Sequence, residues 1–325
     1  MTASPAVEAL GLAKRFGRRT ALEDLTLTVE RGEVFGLLGP NGAGKTTAVK
    51  LLLGLCRATS GAAEVLGAPL GNREARRAIG YLPELFRYQD WLCASEVLEF
   101  HAALLRIDRP RRRAHIAETL AMVGLASRAG DRVGTFSKGM QQRLGLGVAL
   151  LGSPALVFLD EPTSALDPVG RRDVRAIVEA LRARGTAVFL NSHLLTEVER
   201  VCDRVAFVES GRVVAQGTIA EIVGASRVLR LRLEGAGAQV PEILARFATF
   251  DAEPPWFVLH GVADETVPQL VAELAAAGAA IHAVEAVRNT LEERFLALHS
   301  KRPPERPSGY PLDHADSDDR SADAP

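Results

Sequence analysis

Apolar and polar positions along the chain follow several distinct periods, and these periods predict a mixed α/β fold. The runs Val34–Leu38 and Ala155–Leu159 are continuously apolar, as strands buried on both faces are. Between Ser95 and Ala129 apolar residues recur at helical spacing, which predicts an inserted helical lobe. From Val7 to Thr28 apolar residues alternate with polar ones, which predicts short strands in an antiparallel sheet. The first part of the chain is therefore expected to contain a buried sheet, a β-rich N-terminal segment and a helical insertion.

A second, smaller unit is predicted from about residue 224, after a hairpin that closes the first unit near residue 223. Strand-like and helix-like segments alternate there, which predicts a small α/β accessory domain over residues 224–300 without recognisable chemistry. The strand-like segments are 228–233, 256–260 and 280–287, and the helix-like segments are 242–248, 266–277 and 291–298. Residues 301–325 are dominated by Pro, Ser, Asp and Arg, and we expect them to be a disordered tail.

Composition narrows the class of protein. A length of 325 residues suits two domains with a tail, and 47% apolar with 24% charged residues is ordinary globular usage. The net charge of −1 argues against binding nucleic acid by bulk electrostatics. The three cysteines are far apart, which indicates neither a zinc site nor a disulfide framework. The arginine-rich stretch 106–113 is typical of a solvated helix entry, and no function is assigned to it.

Targeting signals are not expected in this sequence. The first 13 residues lack the basic and then apolar pattern of a signal peptide, so we expect no export of the chain. The longest charge-free run, residues 144–159, contains three glycines and a proline and is shorter than a membrane span. It predicts the end of a buried helix, a turn and a buried strand.

A glycine-rich loop between a predicted strand and a predicted helix is the first candidate for chemistry. Glycines there let backbone N–H groups turn inward, and together with the N-terminus of the next helix they hold nucleotide phosphates. Lys45 adds a positive charge, and Thr46 offers a hydroxyl ligand for Mg²⁺. An ordinary glycine-rich turn is the alternative, which the strand and helix context disfavours. The loop consists of Gly39, Pro40, Asn41, Gly42, Ala43, Gly44, Lys45, Thr46 and Thr47.

Polar residues follow two of the predicted buried strands. Asp160 and Glu161 come at the end of one strand, where ligands bind in open α/β sheets. Asp160 is placed to hold Mg²⁺ through water, and Glu161 to polarise a water that attacks a γ-phosphate. The alternative is a pair of surface acids that cap the next helix. His193 follows the strand 187–190, where a γ-phosphate contact is geometrically reasonable, although a lone histidine is more often a surface residue.

The segment Phe136–Met140 places Ser137 and Gly139 immediately before a helix. Ser137 alone predicts an ordinary N-cap. The same geometry also makes an anion site, and the sequence leaves both interpretations open.

Taken in order, these motifs resemble those of the ATP-binding subunits of ABC transporters, over about residues 7–223. The set consists of Phe16 at the adenine-stacking position, the Walker A loop Gly39–Thr47, Glu84 at the Q-loop position, the signature Phe136–Met140, Walker B through Asp160, the catalytic Glu161, the D-loop Ser164–Asp167 and the switch His193.

The resemblance implies a P-loop NTPase core with an N-terminal antiparallel β subdomain and a helical subdomain at about residues 84–150. It implies an ATPase that uses ATP and Mg²⁺, with Thr46, Asp160 and Glu84 near the metal. Phe16, the phosphate loop, Glu84 and Asp167 would bind nucleotide, as would Ser137 and Gly139 from a second copy. Lys45, Glu161 and His193 would be catalytic.

The resemblance also implies partners. A second ATP-binding subunit, identical or related, would dimerise head to tail around two ATP molecules and drive a separate multi-span permease. Nucleic acid is not expected as a partner, and the protein would be cytoplasmic, held peripherally at the inner face of the cell membrane through the permease.

Three departures from the family pattern refine the resemblance. Glu84 replaces the Q-loop glutamine, the signature reads Phe-Ser-Lys-Gly-Met, and the adenine platform is Phe instead of Tyr. The first two departures resemble the exporter branch for drugs, antibiotics or polysaccharides, which often ends in a segment like Thr290–Leu296. The alternative is a soluble ABC-type ATPase of translation or DNA repair, but the fused second unit, coiled coil or zinc module of those proteins is not found in the sequence. A P-loop kinase or GTPase would not explain the signature or His193.

Overall fold

The computed structural model describes residues 4–164, 166–224, 227–235, 239–253, 255–288 and 290–300. The predicted tail 301–325 and Ala165 of the predicted D-loop lie outside the described residues. The strands of the first part are β1 (Val7–Phe16), β2 (Arg19–Val29), β3 (Val34–Leu38), β4 (Ser60–Val65), β5 (Ala68–Pro69), β6 (Ile79–Leu82), β7 (Leu156–Asp160), β8 (Ala187–Asn191), β9 (Arg204–Glu209) and β10 (Arg212–Thr218). Its helices are α1 (Lys45–Leu52), α2 (Arg73–Arg77), α3 (Ala94–Leu104), α4 (Arg109–Met122), α5 (Lys138–Leu150), α6 (Pro168–Ala183), α7 (Leu195–Val201) and α8 (Ile219–Val223).

These ten strands form one sheet in the order β5-β4-β1-β2-β10-β9-β3-β8-β7-β6. β1 and β2 pair antiparallel, and β1 also pairs antiparallel with β4, as the alternating pattern predicts. The prediction of short strands was wrong, since β1 has 10 residues and β2 has 11. The β1–β2 pair has register shifts at three places, which explain why the strands are longer than predicted. Bulges interrupt the alternation of apolar and polar residues although the strand continues.

Strands β6, β7, β8, β3 and β9 lie side by side in that order and pair parallel with one another, whereas β9 pairs antiparallel with β10. Every residue of β3, β7 and β8 is buried, as the apolar runs predict. Their side chains alternate between two core clusters. Val34 belongs to the cluster that includes the helical lobe, and Phe35 belongs to the cluster that includes the β-rich N-terminal segment. The carboxyl ends of these parallel strands meet at one edge, and in the register of β7 and β8 Asp160 lies opposite Asn191. The residues of the candidate functional site lie at this edge of the sheet.

The C-terminal part contains β11 (Arg227–Glu234), α9 (Gln239–Phe247), β12 (Thr249–Glu253), β13 (Trp256–His260), α10 (Val267–Ala276), β14 (Ala280–Arg288) and α11 (Leu291–Ser300). Its sheet has the order β12-β13-β11-β14 with antiparallel pairs, which is a β-α-β-β-α-β arrangement. Leu231, Leu244 and Leu270 are fully buried in its core.

The sequence missed β12, because Thr249–Glu253 contains one large apolar residue and lies at the edge of the sheet. The mixed α/β class with a P-loop NTPase core is confirmed, while the division at residue 223 stays a prediction. Among the described residues, none of the helices combines the length and the apolar content that crossing a bilayer requires.

Candidate functional site

A cleft of about 500 Å³ opens at the carboxyl edge of the parallel strands. The loop Gly39–Thr47, called the phosphate loop below, forms one wall. Glu84, the pair Asp160 and Glu161, and His193 contribute from three other parts of the sequence. The structure therefore brings together residues that the sequence analysis singled out one motif at a time.

The phosphate loop has a backbone conformation that requires glycine. Gly39 has φ 151°, and a Cβ there would lie 2.1 Å from the carbonyl oxygen of Val208. Gly44 has φ 106°, and its Cβ would lie 2.5 Å from the carbonyl oxygen of Ala21. Gly44 is also the N-cap of α1 and offers no side chain to cap it. The first residues of α1 line the cleft, and their N–H groups, which receive no side-chain cap, can donate to an anion.

Lys45 is the buried cation of the cleft, 8% exposed. Its Nζ donates hydrogen bonds to the carbonyl oxygens of Gly39 at 2.7 Å and Pro40 at 3.1 Å. Burial lowers the pKa of Lys45, and the nearby charges of Glu161, Asp160 and Glu84 act in the opposite direction. A desolvated ammonium group held at the loop is suited to bind phosphate oxygens.

Asp160 is 2% exposed and accepts a hydrogen bond of 2.5 Å from Asn191 Nδ2. Burial raises the pKa of Asp160, while the hydrogen bond from Asn191 lowers it. The sequence analysis did not single out Asn191. The signal that could have found this residue is its position: it is a polar residue at the end of the buried strand β8, which lies next to β7 and Asp160.

The oxygen donors of this region fit Mg²⁺. Thr46 presents an exposed hydroxyl at the start of α1, and Asp160 a carboxylate in the same cleft. Mg²⁺ prefers one or two such ligands with waters and phosphate oxygens over an all-protein cage. The described part of the chain contains no group of three or more His, Cys, Asp and Glu residues that could hold a metal ion.

Glu161 lies at a sharp bend directly after β7. Its φ of 52° is unusual for a residue with a side chain, and its N–H donates to the carbonyl oxygen of Asn191 at 2.8 Å. The backbone N–H of His193 donates to Glu161 Oε1 at 3.0 Å. His193 Nδ1 lies 2.8 Å from Glu161 Oε2, and among the described residues this buried oxygen accepts no hydrogen bond. A carboxylate oxygen held in this way can accept a proton from water.

Five predicted residues do not line this cleft: Ala43, which is buried within the phosphate loop, and Phe16, Ser137, Gly139 and Asp167. Phe16 is 54% exposed at the end of β1, with Lys14 Nζ 4.8 Å from its ring centroid. Ser137, Gly139 and Asp167 line a separate cavity of about 520 Å³. Ser137 Oγ accepts the N–H of Met140 at 3.2 Å, and Asp167 Oδ1 accepts the N–H of Gly170 at 2.7 Å. The capping role is thus present, and the anion site stays a prediction.

Comparison with known proteins assigns the family. The profile of the family described as "ABC transporter" matches residues 22–164. An uncharacterized ABC transporter ATP-binding protein of Synechocystis sp. is 39% identical over 279 residues, which cover 85% of this chain and 77% of that protein. The chain belongs to the ATP-binding subunits of ABC transporters. The resemblance read from the motifs is confirmed, and the protein is an ATPase that binds ATP.

Further relatives of this ABC subunit carry more specific names. The daunorubicin resistance ATP-binding protein DrrA2 of Streptomyces coeruleorubidus is 39% identical over 77% of this chain and 79% of its own. A fluoroquinolones export ATP-binding protein of Mycobacterium tuberculosis is 43% identical over 70% of this chain and 75% of its own. A solved structure of an ATP-binding subunit of an ABC transporter superposes with a TM-score of 0.62 at 32% identity, over 67% of this chain and 91% of that one. These relatives agree with the exporter-type branch.

Proposed function

We propose that this protein is the ATP-hydrolysing subunit of an exporter, which dimerises head to tail around two ATP molecules and drives a separate permease. The observation that supports the proposal is that the predicted nucleotide-binding residues line two separate cavities. The phosphate loop lines one cavity, and Ser137, Gly139 and Asp167 line another. A second subunit, identical or related, would bring the second cavity of one chain onto the first cavity of the other.

In this proposal the phosphate cleft binds the nucleotide. The N–H groups of the phosphate loop and Lys45 bind the β- and γ-phosphates, and Phe16 stacks on adenine. Thr46 and Asp160 would hold Mg²⁺, and Glu84 would lie near it. The metal neutralises charge on the phosphate oxygens when it is bound.

Glu161 is the general base of the proposed site. Its unsatisfied Oε2 accepts the proton of the attacking water, while the N–H of His193 fixes the orientation of the carboxylate through Oε1. The exposed imidazole of His193 contacts the γ-phosphate. Glu161 and His193 can play these roles together because they come after two adjacent strands, β7 and β8.

The partner subunit completes the shell around the γ-phosphate. Ser137, Gly139 and the N-terminus of α5 supply hydrogen-bond donors to it from across the interface, and Asp167 lies beside them. ATP binding then closes the dimer, and hydrolysis opens it.

The permease is expected to dock near the helical lobe, which places the protein at the cytoplasmic face of the membrane. Leu85 and Trp91 are 87% and 71% exposed in the segment between β6 and α3. Exposed large apolar side chains are typical of protein interfaces. Glu84 is adjacent to Leu85, so the same segment joins the phosphate cleft to this surface.

The test of this function is the variant Glu161→Gln, which keeps the size of the side chain and removes its charge. ATP should still bind, hydrolysis should fall by about 10²-fold or more, and the dimer should persist with ATP and Mg²⁺. Size-exclusion chromatography with light scattering measures the dimer, and Glu179→Gln, an exposed residue of α6, is the matched control. Hydrolysis by Glu161→Gln at the parental rate would refute the proposal.

A further inference from the structure

The last helix, α11, leaves the C-terminal sheet and packs on the ATPase core. It contacts α7 and α8. Leu291, its first residue, is 0% exposed and belongs to the same core cluster as Val198 and Val201 of α7. The C-terminal part of the chain is thus joined to the helix that directly follows His193.

The N-terminus of α11 is bonded to α7. Thr290 and Glu293 form a capping box, with hydrogen bonds of 2.9 and 3.2 Å. The N–H of Leu291 donates to Oε2 of Glu199 on α7 at 3.1 Å. A carboxylate at a helix N-terminus is favourable for the helix dipole, so this contact stabilises the docking of α11.

One turn later, Phe295 reaches the phosphate cleft. Its ring stacks on that of Phe207, with centroids 5.6 Å apart and planes inclined by 30°. Phe207 is 1% exposed and lies opposite Leu38, the residue before the phosphate loop, in the register of β3 and β9. Phe295 also lines the cleft together with His193 and Leu195. An aromatic side chain from the C-terminal part is therefore a wall of the ATP site.

The helix α7 is held from two sides. On one side Glu197 accepts hydrogen bonds of 2.6 and 2.9 Å from Arg175 of α6, and both side chains are largely buried. On the other side lies α11. Because α7 begins at Leu195, its position determines where the segment 192–195, called the switch segment below, sits in the cleft.

We propose that Phe295 is a positioning residue for ATP turnover, acting through α7 and the switch segment. The inference rests on the role proposed above for His193. The stacked rings fix α11 against β9, and α11 is in turn bonded to α7 through Leu291 and Glu199. Truncating Phe295 removes the restraint on α11 and thereby loosens α7 beside the switch segment. Binding by the phosphate loop should persist, because no donor of that loop is changed. A loss confined to turnover would therefore mark a positioning role.

The experiment compares three variants of the full chain. Phe295→Ala should lower kcat about tenfold, with the ATP dissociation constant changed by less than about threefold. Leu296→Ala truncates the next residue of the same helix, whose side chain is 59% exposed, and should leave both values unchanged. Phe295→Tyr keeps the ring at a half-buried position and should restore kcat. Hydrogen exchange of residues 195–201 should be faster in Phe295→Ala than in Leu296→Ala.

Parental kcat in Phe295→Ala would overturn the inference, and so would an equal loss of kcat in Leu296→Ala. If Phe295→Ala does not yield folded protein, Phe295→Leu keeps apolar volume without the ring and is judged by the same outcomes. Glu161→Gln is measured in parallel. An inactive Glu161→Gln beside a fully active Phe295→Ala overturns the positioning role alone, whereas an active Glu161→Gln overturns the proposed function as well.

Discussion

At the scale of single residues, the proposed ATP site depends on charges that are costly to bury. Lys45 is held in its position by two carbonyl oxygens of the loop, and its pKa is lowered by burial. Asp160 is a buried acid whose pKa is raised by the same cause. Residues of this kind reduce the free energy of unfolding, which indicates that binding and chemistry maintain them.

Lys45→Ala removes the buried cation beside the expected phosphate position. We expect ATP affinity to fall by about 10²-fold or more, since charge-assisted hydrogen bonds are worth about 1.5–3 kcal/mol each. A fluorescent nucleotide titration measures the affinity. Lys50→Ala, in the last turn of α1 and exposed, is the matched control. Equal affinity in the two variants would contradict the assignment of the phosphate loop.

Asp160→Asn should raise the unfolding temperature at pH 7 without nucleotide, and ATP turnover should be lost. A carboxyl whose pKa is higher in the folded chain than in the unfolded one opposes folding while it is ionised. The gain in unfolding temperature of Asp160→Asn over the parent is full at neutral pH. It should shrink as the pH falls through the raised pKa, because the parental Asp160 becomes protonated there. Thermal unfolding across this pH range tests the sign, and Glu179→Gln shows the effect of removing an exposed carboxylate. A gain that grows toward low pH would contradict this argument.

At the scale of elements, the strand ends set the site and the helices support it. The apolar pattern predicted the buried strands, the lobe and most helix positions. It could not predict β12 or the full length of β1 and β2, because edge strands and bulges lack a strict period. It also predicted a helix at 291–298 without indicating its partner, which is a contact with α7 and α8 across long sequence distances.

Leu291→Ala should destabilise the docking of α11 by about 2–5 kcal/mol, because it leaves a cavity at a fully buried position. Chemical denaturation of the full chain measures this loss. Leu296→Ala deletes the same number of carbon atoms at an exposed position of the same helix and should cost far less. Equal stability of the two variants would mean that α11 is not part of the ATPase core.

At the scale of the whole molecule, the two sets of residues predicted to bind nucleotide line separate cavities of one chain. If Ser137 only caps α5, Ser137→Ala costs about 1 kcal/mol of stability and leaves turnover nearly intact. If Ser137 donates to the nucleotide of the partner subunit, Ser137→Ala folds and binds ATP but hydrolyses it poorly.

Mixing Ser137→Ala with Lys45→Ala distinguishes these alternatives. In the heterodimer one site carries both defects and the other is intact, so part of the parental turnover should return relative to either variant alone. Steady-state ATPase assays of the separate and mixed proteins measure this recovery. Full turnover of Ser137→Ala by itself would end the proposal of a site shared between subunits.

The sequence by itself determined the family, and it located the phosphate loop and the pair Asp160 and Glu161 as candidates, because each of these is a local pattern. A glycine that must have positive φ, or an acid that ends a buried strand, can be recognised within a few residues. The tertiary structure alone decided that Asn191 bonds to Asp160, that His193 bonds to Glu161, and that Phe295 reaches the cleft. These contacts join residues that are distant along the chain. Their existence depends on which strands are neighbours and where the last helix docks, and a single sequence contains no periodic signal for either.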